Sequence, residues 1–342
     1  MHHHTRTILA ALALSATLTK AQATGSTLHV EFVNATSYFY GYCNVGDIGM
    51  NPSKLTRPTP PPPLVTGVGI ADIISVNGIP VKGTAIEGFN GALLSPTMTP
   101  GRAIADFMAS PTNATFELTF LNLDGSLIGT MEIHGQGTAS NVGPPGAPVD
   151  FPGGSVYTVT GGTGPFLGAR GYFAPVQDAT SPERQTTDCE DPSYRRINAD
   201  SGGNKRHPVL YLIPQIQPQI AVTAGLPAVY HLDFTPVTVG KPAAAGETLI
   251  AMATGLGPTR PGIDPGQPFP SFPGNALQQV SSPLGLTINQ QPAQIFNAVG
   301  WPGLVDIYRI DFQIPAGTPS GQASVQISIA WMNGPAVSIP IE

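Results

Sequence analysis

Between Ala114 and Gly135 the chain reads ATFELTFLNLDGSLIGTMEIHG, two runs of alternating apolar and polar side chains joined at Asp124-Gly125. A period of two belongs to a β-strand with one buried face, and a helix cannot use it. Asp-Gly favours the left-handed backbone of a type I′ turn, so the stretch predicts a hairpin. Asn77-Gly78, between ADIISV and IPVKGTAI, predicts a second one. LHVEFVNATSYFY, LVTGVGIADIISV, AIADFMA, SVYTVTGG and ARGYFAPV carry the same patterning. Seven or eight antiparallel strands from Leu28 to about Val176 predict a closed barrel or a sandwich. Composition agrees: 40 Gly and 37 Pro among 342 residues suit short strands and tight turns and disfavour long helices. The run RPTPPPPL, Arg57 to Leu64, reads as a stiff polyproline spacer.

The start of the chain reads as an export signal. Arg6 supplies a positive charge, TILAALALSATL an apolar run, and Ala21-Gln22-Ala23 a small-x-small cleavage site. The expected division is a signal peptide over 1–23, a barrel domain over 24–215 and a second domain over 216–342. The run is too short to span a bilayer, so the mature protein is expected to be secreted, extracellular or periplasmic, with no membrane span. A net charge of −6 disfavours nucleic acid and anionic membrane surfaces as partners.

Two cysteines occur, Cys43 and Cys189. In an oxidising compartment such a pair is expected to form a disulfide, and no CxxC spacing favours the alternative of free or redox thiols. Cys189 lies in a charged loop over 178–206, expected to be a solvated surface excursion.

The stretch TVTGGTGPFLGARGY, Thr158 to Tyr172, imitates a nucleotide-binding loop. Such a loop must open a helix whose N-terminus holds the phosphates. Here Gly171 and Pro175 follow within a turn, Leu167 stands where a third glycine is required, and no helical period appears. The glycines are instead expected to shape a barrel corner: VTGGTG ends one strand, PFL crosses the barrel end, and GARGYF starts the next.

Within that stretch, GGTGPFLGARGY resembles the GGTG-x-F-x-x-ARGY signature of the dirigent proteins and is similar to the related stretch of allene oxide cyclases. The resemblance implies an eight-stranded antiparallel barrel with an apolar cavity. It makes Arg170, Tyr172 and Tyr157 the candidate barrel-pocket residues. Pro165 stands where some members carry an acidic residue.

From Gln219 a second series of short strands follows at roughly ten-residue spacing, which predicts an immunoglobulin-like β-sandwich. The segments AGETLIAMATGLGPTRPGIDPGQPFP, PAQIFNAVGWPGLVDIYRIDFQIPAGTPSG and VQISIAW resemble the Solibacter C-terminal domain family of secreted acidobacterial proteins. That resemblance implies an extracellular module and no specific activity.

No constellation of catalytic residues stands out. His29, His134, His207 and His231 are scattered without ligand spacing, and GLGPTRPGIDPGQP, with Arg260 and Asp264, lacks the carboxylates of a calcium loop. No GxSxG occurs. Asp106, Glu117 and Glu132 lie on expected barrel strands, where exposed faces carry such residues routinely. The sequence therefore predicts a non-catalytic binding, interaction or structural protein with no metal and no cofactor, its partner a surface or protein, with self-association among the outcomes. A second expectation is a barrel that binds a small apolar ligand and guides its cyclisation or coupling, with Arg170 and Tyr157 or Tyr172 as polar handles. A third, carbohydrate binding or adhesion, requires exposed aromatics, for which Trp301, Tyr38, Tyr40 and Tyr42 are available.

Overall fold

The structure, a computed structural model, describes residues 25–40, 65–94, 107–140, 156–174, 184–187, 205–271 and 276–342. Residues 1–24, the proline run, Cys43, Cys189, Asp106 and most of the charged segment over 178–206 lie outside the described residues. Among those described, no helix is long and apolar enough to cross a membrane.

The first half is all β: β1 (Ser26–Tyr40), β2 (Val65–Val76), β3 (Ile79–Leu94), β4 (Phe107–Leu121), β5 (Leu127–Ser140), β6 (Val156–Gly162), β7 (Arg170–Ala174), β8 (Arg184–Thr187) and β9 (Val209–Ile213). All but β8 are antiparallel neighbours in the order β1-β2-β3-β4-β5-β6-β7-β9, and β9 pairs back to β1. The eight strands thus close on themselves, which leaves no free edge between them.

The expectation of a plain surface excursion over 178–206 needs correction at β8. β9 and the residues just before it, back to Arg206, pair only with Ser26–Phe32 of β1, so the backbone groups of β1 beyond Phe32 would lack partners on that side. Arg184–Thr187 supplies them, running parallel to Thr36–Phe39.

The two hairpins fold as Asn-Gly and Asp-Gly suggest, with one difference. Asn77 and Gly78 both take positive φ, 51° and 75°, in a two-residue type I′ turn. At Asp124-Gly125 only Gly125 is left-handed, at 87°, and the Asn122 N–H donates to the Ser126 carbonyl at 2.8 Å. The loop is therefore one residue longer than expected. The Asp124 carboxylate is the cause: it accepts from both the backbone N–H and the hydroxyl of Ser126, at 2.9 and 2.5 Å.

Inward positions alternate along each strand and fill the barrel. Phe116 packs edge-on against Tyr157 at 4.9 Å between centroids and lies 5.1 Å from Phe173; Phe120 lies 5.5 Å from Phe166. Leu118, Phe120, Met131, Ile133, Val159 and Leu212 are fully buried.

The second half begins with β10 (Gln219–Ile220), β11 (Val222–Thr223), β12 (Leu226–Pro227), β13 (Val229–His231), β14 (Thr248–Thr254), β15 (Thr259–Arg260) and β16 (Gln279–Val280). It continues with β17 (Leu284–Ile288), β18 (Gln291–Pro292), β19 (Gln294–Gly300), β20 (Tyr308–Gln313), β21 (Gly321–Ile329), β22 (Met332–Asn333) and β23 (Val337–Ile341). One sheet runs β10-β14-β20-β19-β16-β15 with β13 also on β14; another runs β18-β17-β21-β22 with β23 on β21. Leu249, Ile310 and Phe312 of the first share one core with Leu286, Val325 and Ile327 of the second.

The halves are joined by more than a linker. Ile329, Ala330, Trp331 and Met332, at the β21–β22 turn, belong to the barrel's own hydrophobic core. Ala330 and Trp331 both take positive φ, 45° and 65°, which costs roughly 1–2 kcal/mol each for residues with a Cβ. Burying an indole removes roughly 150–250 Å² from water, about 4–6 kcal/mol, so packing outweighs the strain.

Candidate functional site

The barrel has two unlike ends. At the near end sit the start of β1, the β2–β3 and β4–β5 turns, the β6–β7 connection and the end of β9. The glycine stretch forms that β6–β7 connection. β6 ends at Gly162, a single 3-10 turn, Gly164–Phe166, crosses the barrel end with Pro165 and Phe166 buried, and β7 begins at Arg170. Gly164 has φ +63°, and a Cβ there would come within 2.5 Å of the Ile128 carbonyl oxygen. A turn this tight against β5 requires glycine, and no phosphate-binding helix follows.

The second half docks on this near end. Trp331 lies 5.8 Å from Phe120, which in turn meets Phe166 of the crossing turn. Polar contacts ring that plug. The Asn122 amide donates to the Ser281 carbonyl at 3.0 Å, the Asn333 N–H donates to Ser26 Oγ at 3.2 Å, and Arg260 donates to Ser126 Oγ while its guanidinium lies 3.7 Å from Asp124. The Ser126 hydroxyl, its N–H and then Arg260 hold the Asp124 carboxyl below its ordinary value. Beside the junction the Tyr308 hydroxyl donates to the Gly257 carbonyl at 2.5 Å, and burial pushes that phenol above its ordinary value. It is a structural hydrogen bond.

The far end is where β1, β3, β5 and β7 finish, and the connections that leave it span 41–64, 95–106, 141–155 and 175–183. Toward this end the inner wall turns small. Ala35, Gly69, Ala71 and Ala85 surround a cavity of about 20 Å³ together with Phe32 and Phe116, and Glu87 and Arg206 also line it. That volume holds about one water molecule. Arg206 is anchored by its backbone, which exchanges hydrogen bonds of 2.8 and 3.1 Å with Phe32.

The three candidate pocket residues are not brought together. Tyr157 is buried in the barrel against Phe116 and Phe173. Arg170 is exposed on the outer wall, where its guanidinium donates to the carbonyls of Thr160 and Ala169 and ties the two arms of the glycine connection. Tyr172 is 50% exposed and stacks on Tyr211 at 5.3 Å. Alternation counted from buried Phe173 would have sent residues 172 and 170 outward. Glu87, Arg206 and Phe116 carried no comparable sequence signal, because only the closure of the sheet brings β3, β4 and the segment before β9 around one space.

The remaining candidates are dispersed. Glu117 and Glu132 are exposed and face each other across β4 and β5 on the outer wall. His29, His134 and His207 are exposed. His231 is buried, with Nδ1 2.6 Å from Glu247 and Nε2 3.3 Å from the Lys241 carbonyl. Among the described residues no group of His, Cys, Asp and Glu is placed to hold a metal ion together. The side chains of Tyr38, Tyr40 and Tyr42 lie outside the described residues, whereas Trp301 is partly exposed. No family model matches the chain, and neither a curated protein nor a solved structure does so.

Proposed function

We propose that this chain is a secreted, non-catalytic binding module in which a dirigent-like barrel and an immunoglobulin-like second domain act as one unit. The observation that carries this reading is the seal at the near end. Trp331 of the second half completes the barrel core and occupies the end that bears the glycine connection. The contacts between the halves named above all lie at the near end, away from the far end where β1, β3, β5 and β7 finish. Native mass spectrometry of the exported chain, Thr24 to Glu342, tests it. The bare polypeptide mass is expected. Turnover of a defined substrate at a rate abolished by Glu87→Gln or Arg206→Ala would contradict the reading.

One observation favours a second reading, a barrel that takes a small apolar ligand. Small residues line the far half beside the Phe116, Tyr157 and Phe173 rings, with Glu87 and Arg206 as polar groups. A small apolar molecule that copurifies with the chain, and is lost in an Ala85→Leu variant, supports it over the first.

A further inference from the structure

The second half carries an exposed aromatic cluster that its core does not need. β13 turns back through Leu232, Asp233 and Phe234, closed by the His231 N–H to the Thr235 carbonyl at 2.9 Å. In such a three-residue loop the last position is left-handed and favours glycine. Phe234 occupies it, with φ 63° and 53% of its surface exposed. A bulky residue held in that backbone region against local preference is a sign of use elsewhere. The loop is rigid as well: Asp233 accepts from the Thr235 N–H at 3.0 Å and its hydroxyl at 2.5 Å, and pairs with Lys241 at 3.0 Å.

The surroundings of Phe234 define its partner. Trp301 stands 6.3 Å away with its ring plane inclined at 65°, and the Arg309 guanidinium lies 5.6 Å from the Phe234 centroid. Arg309 Nε donates to Asp311 at 2.7 Å, and the Asn297 amide donates to the other carboxylate oxygen at 3.3 Å. Three planar polar side chains therefore sit in one hydrogen-bonded row beside an exposed ring. Their charges cancel within the row, so the surface matches a neutral partner. A guanidinium has five N–H donors and a carboxylate about four acceptor sites, so the row keeps bonding capacity beyond these contacts. An apolar protein surface would desolvate that capacity at a cost. A partner with adjacent hydroxyls satisfies donors and acceptors alike, and its C–H bonds meet the negative face of a ring.

We propose that Phe234, Trp301 and Arg309, with Asp311 and Asn297, form a saccharide-binding platform on the second domain. It rests on the reading of the chain as a non-catalytic binding module. The test is tryptophan-fluorescence titration of the full mature chain with cellohexaose, xylohexaose, chitohexaose and maltohexaose, with the sugar recovered and weighed by mass spectrometry afterwards. At least one sugar is expected to bind and be recovered intact. Phe234→Gly is expected to weaken it by about tenfold or more while the melting temperature holds or rises, because glycine suits the backbone there. Absence of binding by all four sugars, or equal affinity in Phe234→Gly, overturns the platform and leaves the module reading standing. A concentration-dependent dimer that Phe234→Gly dissolves also overturns it, in favour of a second copy of the chain. Binding with cleavage of the sugar keeps the platform and overturns the non-catalytic reading.

Discussion

The Trp331 indole packs 5.8 Å from the Phe120 ring, centroid to centroid and 55° apart, so a residue from the second half of the chain sits in the core of the first. Truncating it opens a cavity between the halves. Trp331→Ala is expected to cost about 3–5 kcal/mol in denaturant unfolding. Trp331→Phe is expected to cost less, because the buried indole N–H has no acceptor to lose.

The glycine connection makes a prediction residue by residue. A Cβ at Gly162 would lie 2.4 Å from the Thr130 carbonyl oxygen, whereas one at Gly161 would meet nothing nearer than the Glu132 carboxylate at 3.9 Å. Gly162→Ala is expected to lose about 2–3 kcal/mol and Gly161→Ala to stay within about 0.5 kcal/mol of the parent. Equal effects from the two neighbours in thermal melts would contradict the backbone account of the motif.

The two cysteines, Cys43 and Cys189, lie outside the described residues, and in an oxidising compartment such a pair is expected to be joined. The exported protein is therefore expected to show no free thiol under denaturing conditions until a reductant is added. Reduction should lower its stability by roughly 3–5 kcal/mol in the chain-entropy model. Two reactive thiols in freshly purified protein would contradict the pairing.

Acid should loosen the β13 hairpin. The Thr235 hydroxyl, its backbone N–H and Lys241 hold the Asp233 carboxyl well below the usual carboxylate range. A folded-state pKa below the unfolded one gives stability that is present above about pH 4 and is lost as pH falls through the folded value. Asp233→Asn should therefore lower the melting temperature at neutral pH, and the gap to the parent should hold down to about pH 4 and narrow below it. A gap that stays constant with pH would show that the carboxylate charge is not what fastens this loop.

The barrel was largely legible in the sequence because its strands alternate and its turns are local. Asn77-Gly78 announced its own geometry, and the glycine stretch lacked the helix that a phosphate site needs. What could not be read depended on partners distant in the chain. β8 exists because β9 leaves part of β1 unpaired, and nothing in Arg184–Thr187 alone says so. The family resemblance groups Arg170 and Tyr172 with Tyr157, while strand alternation sends them to the opposite face. Trp331 and Phe234 sit where local preference asks for glycine, so each is explained only by what its side chain reaches.

The most direct test of the shared core is scanning calorimetry of the mature chain beside Trp331→Ala. The parent is expected to unfold in one transition whose calorimetric and van't Hoff enthalpies agree. The variant is expected to separate into two transitions, with the barrel melting first. Two independent transitions in the parent, or a variant that melts like it, would contradict the claim that the second half completes the barrel.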